Sequence, residues 1–164
     1  MNKRLDALLI HLKSQIGFEL CFTSPDFVTS ATFRQYFEAI GDFNPVYFEP
    51  GFAKKTGHDG LIGPPSLVCE SEQFISPAGT DSILSDRTYF MGYWYDWLRA
   101  GNNYEFYQSV RVGDLISTKR RFEDVWYKEG KSGTHLFRKV VIHYSNHMGQ
   151  SLARNEEIMF VTIR

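Results

Sequence analysis

A carboxylate and a phenol stand five positions apart in a segment dominated by turn residues, Gly41-Asp-Phe-Asn-Pro-Val-Tyr47. A positioned carboxylate such as Asp42 can take or give a proton, whereas a phenol, with an ordinary pKa near 10, is a poor base at neutral pH. Asp42 has two readings from sequence. It is either an acid/base group or a turn aspartate that caps the helix starting at Pro50 or pairs with Asn44. Asn44-Pro45 sets the turn, because a residue preceding proline is driven out of the helical region. Downstream, His58 lies between Gly57 and Asp59 and reads either as a second acid/base group for this segment or as a solvated loop histidine. His143 and His147 resemble a metal pair, but four strand positions span roughly 13 Å, too far to share an ion. His11 and His135 have no evident partner. Cys21 and Cys69 form neither a disulfide framework nor a metal-type spacing. The chain contains no Ser-His-Asp set, phosphate-binding glycine loop or zinc spacing, so no metal and no redox cofactor is expected.

The elements that must hold these residues divide the chain into two halves. Leu5 to Leu12 is weakly helical, and Cys21 to Val28 is extended with an interruption at Pro25. Thr29 or Ser30 can cap a helix whose apolar residues Phe33, Tyr36, Phe37 and Ile40 recur at helical spacing and which Gly41 ends. Pro50 to Gly57 predicts a short helix with proline in its first turn and glycine past its end. A third helix is predicted after Pro64-Pro65, from Ser66 to about Ile75. From Pro77 to Asn103 runs an aromatic-rich stretch that reads as a long functional or interfacial loop. Tyr104 to Val110, Leu115 to Tyr127, Thr134 to Tyr144 and Leu152 to Ile163 read as strands. The turns at Val112-Gly113-Asp114, Lys128 to Gly133 and Asn146 to Gly149 link them into an antiparallel meander. Such a sheet must bury one face, and the helix after Pro65 is the natural filling. One helix wrapped by a long antiparallel sheet is the hot-dog arrangement, so the expected class is α+β.

With 164 residues the expectation is a single domain spanning 1–164, with room for one core. A net charge of −1 gives no basic footprint for nucleic acid. The cluster Lys119-Arg120-Arg121 is accounted for by a solvated strand face as well as by a phosphate contact. The N-terminal apolar run is broken by His11 and Lys13 and is too short and polar for a signal peptide or membrane span. A cytoplasmic, reduced protein is therefore expected. Aromatics are 16% of residues. They supply packing for the core and area for a pocket or a subunit interface.

The segment from Ala39 to Ala53, followed by Gly57 and Gly60-Leu-Ile-Gly-Pro-Pro65, resembles the signature of the MaoC-like hydratases and dehydratases. That signature runs Gly-Asp-x-Asn-Pro, an aliphatic residue, a histidine, a small helix and then the central hot-dog helix. Gly41, Asp42, Asn44, Pro45 and Val46 match it position by position. Gly101-Asn-Asn-Tyr-Glu-Phe106, Val110-Arg-Val-Gly-Asp114, Gly130-Lys-Ser-Gly133 and Gly149 are similar to the N-terminal-type, FAS1-like dehydratase branch, and the resemblance spans residues 18 to 163. In catalytic members the aspartate and the histidine hold the water that adds to a trans-2-enoyl thioester. A backbone N–H at the start of the central helix receives the thioester oxygen. This chain departs from that pattern at two places. Tyr47 occupies the histidine position, and Pro64-Pro65 replace the His-Gly pair, removing a backbone donor.

The resemblance implies a component of an enoyl-CoA hydratase or 3-hydroxyacyl-CoA dehydratase with the (3R) stereochemistry usual in the family. The chain would be the supporting, histidine-lacking half, forming a homodimer or a heterodimer with a catalytic MaoC-like subunit. Its substrate would be acyl-CoA or an acyl-carrier thioester. Asp42, Asn44 and Tyr47 are the expected catalytic positions, and Gly63, Pro65, Ser66, Trp94 and Trp97 the expected substrate contacts. Three other readings stay open. They are an active homodimeric hydratase using Asp42, a hot-dog thioesterase in which Asp42 or Glu70 activates water, and a non-catalytic acyl-CoA-binding protein.

Overall fold

The computed structural model describes residues 3–70, 84 and 86–163, apart from the Glu70 side chain. Helix α1, Lys3–Lys13, places Leu5, Leu8 and Leu12 on one buried stripe, the spacing of an amphipathic helix seated on a core. Strand β1, Glu19–Thr23, follows. Helix α2, Ser30–Ile40, opens on a Thr29/Thr32 capping box and closes on Gly41 at φ 71°, a left-handed cap that glycine adopts without steric cost. A 3-10 turn over Pro45–Tyr47, helix α3 over Pro50–Lys55 and helix α4 over Leu67–Glu70 complete the first half. The helix expected from Ser66 to Ile75 therefore coincides with α4 at its start. Its remainder lies outside the described residues.

The second half is β2 (Arg87–Phe90), β3 (Tyr93–Asp96), β4 (Leu98–Phe106), β5 (Ile116–Gly130), β6 (Gly133–Asn146) and β7 (Ser151–Ile163). The loop expected between Pro77 and Asn103 is corrected here, because β2, β3 and the start of β4 occupy its second part. Met91 and Gly92 both have positive φ, 50° and 83°, the backbone of a tight hairpin turn. They pair Tyr89 with Trp94 and Thr88 with Tyr95. The run of aromatics masked the alternation, and Met-Gly is a weak turn signal. α1 secures this hairpin. His11 stacks on Phe90 at 4.7 Å, and Arg4 donates to the Tyr95 hydroxyl at 2.9 Å.

Strands β1-β5-β6-β7-β4, in that order, form one sheet, antiparallel at every pairing. The expected meander therefore holds for β5–β6–β7 alone, because the strand expected from Tyr104 is β4, which pairs with β7 across the sheet and not with β5. One face is buried with Phe122, Leu136, Val140, Ile142, Tyr144 and Met159, and α1, α2 and α4 add Leu8, Phe33 and Val68 to the same core. This is the α+β hot-dog arrangement. The motif ending in Asp114 and the turn containing Gly149 are tied together structurally. Asp114 is buried and accepts from the Arg111 N–H and from Asn146 Nδ2 at 3.0 Å. Asn146 Oδ1 in turn receives the N–H groups of Met148 and Gln150.

Candidate functional site

The motif segment is built by its own turn chemistry. After the Gly41 cap the Asp42 N–H returns to the Phe37 carbonyl at 3.0 Å. Asn44 Oδ1 then accepts from the Val46 N–H at 3.2 Å, and Pro45 starts the 3-10 turn, its fixed φ suited to that position. The turn carries Tyr47 back toward α2, where its ring stacks on Phe37 in a small cluster with Val46 and Ala53. The Tyr47 hydroxyl donates to Asp42 Oδ2 at 2.9 Å. Burial first, and then the Asp42 carboxylate, push the Tyr47 phenol up to about 12. It is thus a proton holder at neutral pH.

Neither turn role considered for Asp42 is found. Glu49 occupies the N-cap of α3 and makes no side-chain cap. Asn44 serves Val46 rather than Asp42. The carboxylate is exposed, and its hydrogen-bond partner is the phenol of the same motif.

A cavity of about 280 Å³ opens beside this pair, and Asn44, Tyr47, His58, Gly63, Pro65 and Ser109 are among its walls. Backbone donors are scarce along its floor. The Ile62 N–H goes to the Val46 carbonyl and the Gly63 N–H to the Val110 carbonyl at 2.7 Å. Pro64 and Pro65 have none, so Ser66 is the first residue beyond them with an N–H. Gly63 has no room for a side chain, since a Cβ there would lie 2.7 Å from Phe33 Cε1 and 3.0 Å from Leu67 Cδ2. A second cavity, of about 480 Å³, lies on the other side of α2 against Asp26, Tyr36, Ala39 and Leu67.

Sequence reasoning assembled Asp42, Asn44, Tyr47, Gly63 and Pro65 in one neighbourhood, and the fold brings them together. Trp94 and Trp97 stand elsewhere. Trp97 is in the core, donating from Nε1 to Thr88 at 2.9 Å with the Arg138 guanidinium 4.5 Å from its ring. Trp94 is exposed on the β2–β3 hairpin, packed on Tyr89. Neither lines the two cavities. Glu70 has its side chain outside what is described. Ser109 was not singled out from sequence. It lies just before Val110, and only the Gly63–Val110 contact carries it to the cavity, so no local pattern signals it. His143 is exposed, and His147 Nδ1 accepts from the Leu115 N–H. Among the described residues no three His, Cys, Asp or Glu side chains gather as metal ligands, and no helix is long and apolar enough to cross a membrane.

Comparison with known proteins agrees with this architecture. A family model described as "FAS1-like, dehydratase domain region" matches residues 14–155. A UPF0336 protein of Streptomyces avermitilis is 29% identical over 114 residues, which is 69% of this chain and 72% of its own length. In the ChsH1-ChsH2 complex of Mycobacterium tuberculosis one chain superposes with a TM-score of 0.71 at 14% identity, covering 98% of this chain and 96% of that one. A chain of the C-terminally truncated HadBC (3R-hydroxyacyl-ACP dehydratase) complex, also from Mycobacterium tuberculosis, superposes with a TM-score of 0.65 at 14% identity, covering 89% and 96%. At such identity the two structures speak for the fold.

Proposed function

The chain belongs to the FAS1-like dehydratase domain family, and from that premise we propose that it is the supporting subunit of a two-chain enoyl-thioester hydratase or dehydratase. The observation that carries the reading is the bond from the Tyr47 hydroxyl to Asp42 at 2.9 Å. Adding water to an enoyl thioester requires a group that removes a proton from the water while thioester-oxygen donors stabilise the enolate. A phenol held near 12 keeps its proton, and the two prolines remove a backbone donor. The motif positions of this chain therefore favour holding and shaping a site over running the main proton transfer, which the partner would supply. Support for a hetero-oligomer comes from relatives of the same fold, whose ChsH1-ChsH2 and HadBC structures are complexes. A further support is strand β4. It ends the sheet among the described residues and carries exposed Phe106, and soluble proteins normally cover a sheet edge of this kind.

The test is hydration of trans-2-enoyl-CoA substrates by the chain alone and together with a MaoC-like chain that carries histidine at the position of Tyr47. Pairing should raise the rate by on the order of a hundredfold or more, the usual scale of a positioned acid/base group. Equal rates with and without the partner would sink the supporting role, and release of free CoA in place of water addition would redirect the assignment to a thioesterase.

A further inference from the structure

We propose that His58 is the proton-transfer residue of this chain's own site, acting on an enoyl thioester in the cavity it shares with Asn44, Tyr47 and Ser109. The inference rests on the acyl-thioester reading above but not on the second chain, and its consequence is a slow turnover by the chain alone.

The five histidines differ in what surrounds them. His135 has both ring nitrogens engaged, with Ser132 and Thr162. His147 uses Nδ1 for a backbone amide, His11 is stacked on Phe90, and His143 stands exposed on the sheet. His58 is half-buried, lines the cavity beside the motif, and has no hydrogen-bond partner for either ring nitrogen among the described residues. An imidazole that lines a cavity and has its ring nitrogens uncommitted can reach a ligand held there, as a general acid/base group must.

Its placement is fixed from the backbone. Gly57 adopts a positive φ of 91° and turns the chain at the end of α3, and the His58 N–H returns to the Ala53 carbonyl at 3.0 Å. The next residue, Asp59, meets Arg111 at 3.5 Å, and Arg111 is bridged to Ile62. The loop is thus held at both ends against the cavity wall. Donors for the thioester oxygen are present on the same wall. Asn44 spends Oδ1 on Val46, which leaves its side-chain NH2 for a ligand, and Ser109 brings a hydroxyl. These side-chain donors stand in for the backbone N–H that Pro65 lacks.

The step balances without a cofactor. The water oxygen bonds to C3 as the C2=C3 π bond breaks and its electron pair moves to the thioester enolate. One water proton passes to the imidazole of His58. That proton is then delivered to C2, which restores the carbonyl and the free imidazole, so the net change is addition of one water.

The experiment uses the full chain alone, with crotonyl-CoA and a longer trans-2-enoyl-CoA, followed by loss of enoyl absorbance and by direct binding. Hydration above the uncatalysed rate is expected. It should fall on the order of a hundredfold in His58→Ala and recover on addition of free imidazole, a rescue that a merely structural histidine would not show. Unchanged rates in both His58→Ala and His58→Gln overturn the proposal. A chain that binds enoyl-CoA without turnover above background also overturns it while leaving the supporting-subunit reading intact. Failure to bind any enoyl-CoA, alone or paired, overturns both.

Discussion

Between Asp42 and Tyr47 the proton stays on the phenol, and that has a consequence for stability as well as for chemistry. The folded chain holds the Tyr47 proton more tightly than the unfolded chain does, since burial and the Asp42 carboxylate raise the phenol from 10.0 to about 12. A group whose pKa is raised by folding stabilises the native state fully below its unfolded value, and that contribution is lost as pH climbs to the folded value. Because Tyr47 is only 7% exposed, a shift of this size corresponds to on the order of 2–3 kcal/mol lost between about pH 10 and pH 12. Urea unfolding across that range should therefore decline more steeply for the native chain than for Tyr47→Phe, which lacks the titrating group. Parallel curves would mean that neither burial nor Asp42 raises the phenol in solution.

Strands β5, β6 and β7 bury charge as well as hydrocarbon, which periodicity alone did not anticipate. Glu157 has a side chain only 4% exposed, with Arg99 at 2.8 Å and Arg120 at 3.7 Å. On the same face Arg138 is fully buried. Desolvation pulls its guanidinium down to about 10, and Glu157 opposes that shift. Removing one member of a buried charge set leaves the others desolvated without compensation and typically costs about 3–5 kcal/mol. Glu157→Leu should lower the unfolding free energy by that order, measured by denaturant titration. A change under about 1 kcal/mol would place these arginines in contact with water in solution. The strands themselves were legible because their turns are local. Gly130 and Gly133 pair across a two-residue turn, and the Asp114–Asn146 link pins the neighbouring turns. The β2–β3 hairpin was not legible, since aromatics on both faces hide the alternation that signals a strand.

At the scale of the molecule the sheet has two unequal ends. β1 closes one with five residues, whereas β4 presents nine and carries a stacked pair, Tyr104 and Phe106, at 5.8 Å. Tyr107 adds further exposed aromatic surface. An edge of this length and composition calls for a second sheet beside it. If the chain associates along this edge as proposed above, Phe106→Glu should lower its sedimentation coefficient toward that of a single chain, since a charge placed there would have to be desolvated on association. An unchanged sedimentation coefficient would move the interface to another face.

What the sequence by itself determined was whatever depends on near neighbours. The Gly41 cap, the Asn44-Pro45 turn, the proline-led helix at Pro50 and the meander of long strands follow from φ restriction, capping and alternation over a few residues. The motif letters marked the neighbourhood of Asp42, Asn44 and Tyr47 for the same reason. The tertiary structure decided the partners. Tyr47 turned back onto Asp42, Trp97 was drawn into the core under Arg138, and Gly63 was bound to Val110 so that Ser109 and His58 meet Asn44 across one cavity. Apart from Tyr47–Asp42, which closes within one motif, those contacts join elements far apart in the chain. Their geometry is set by how helices pack on a sheet, and no local pattern encodes it.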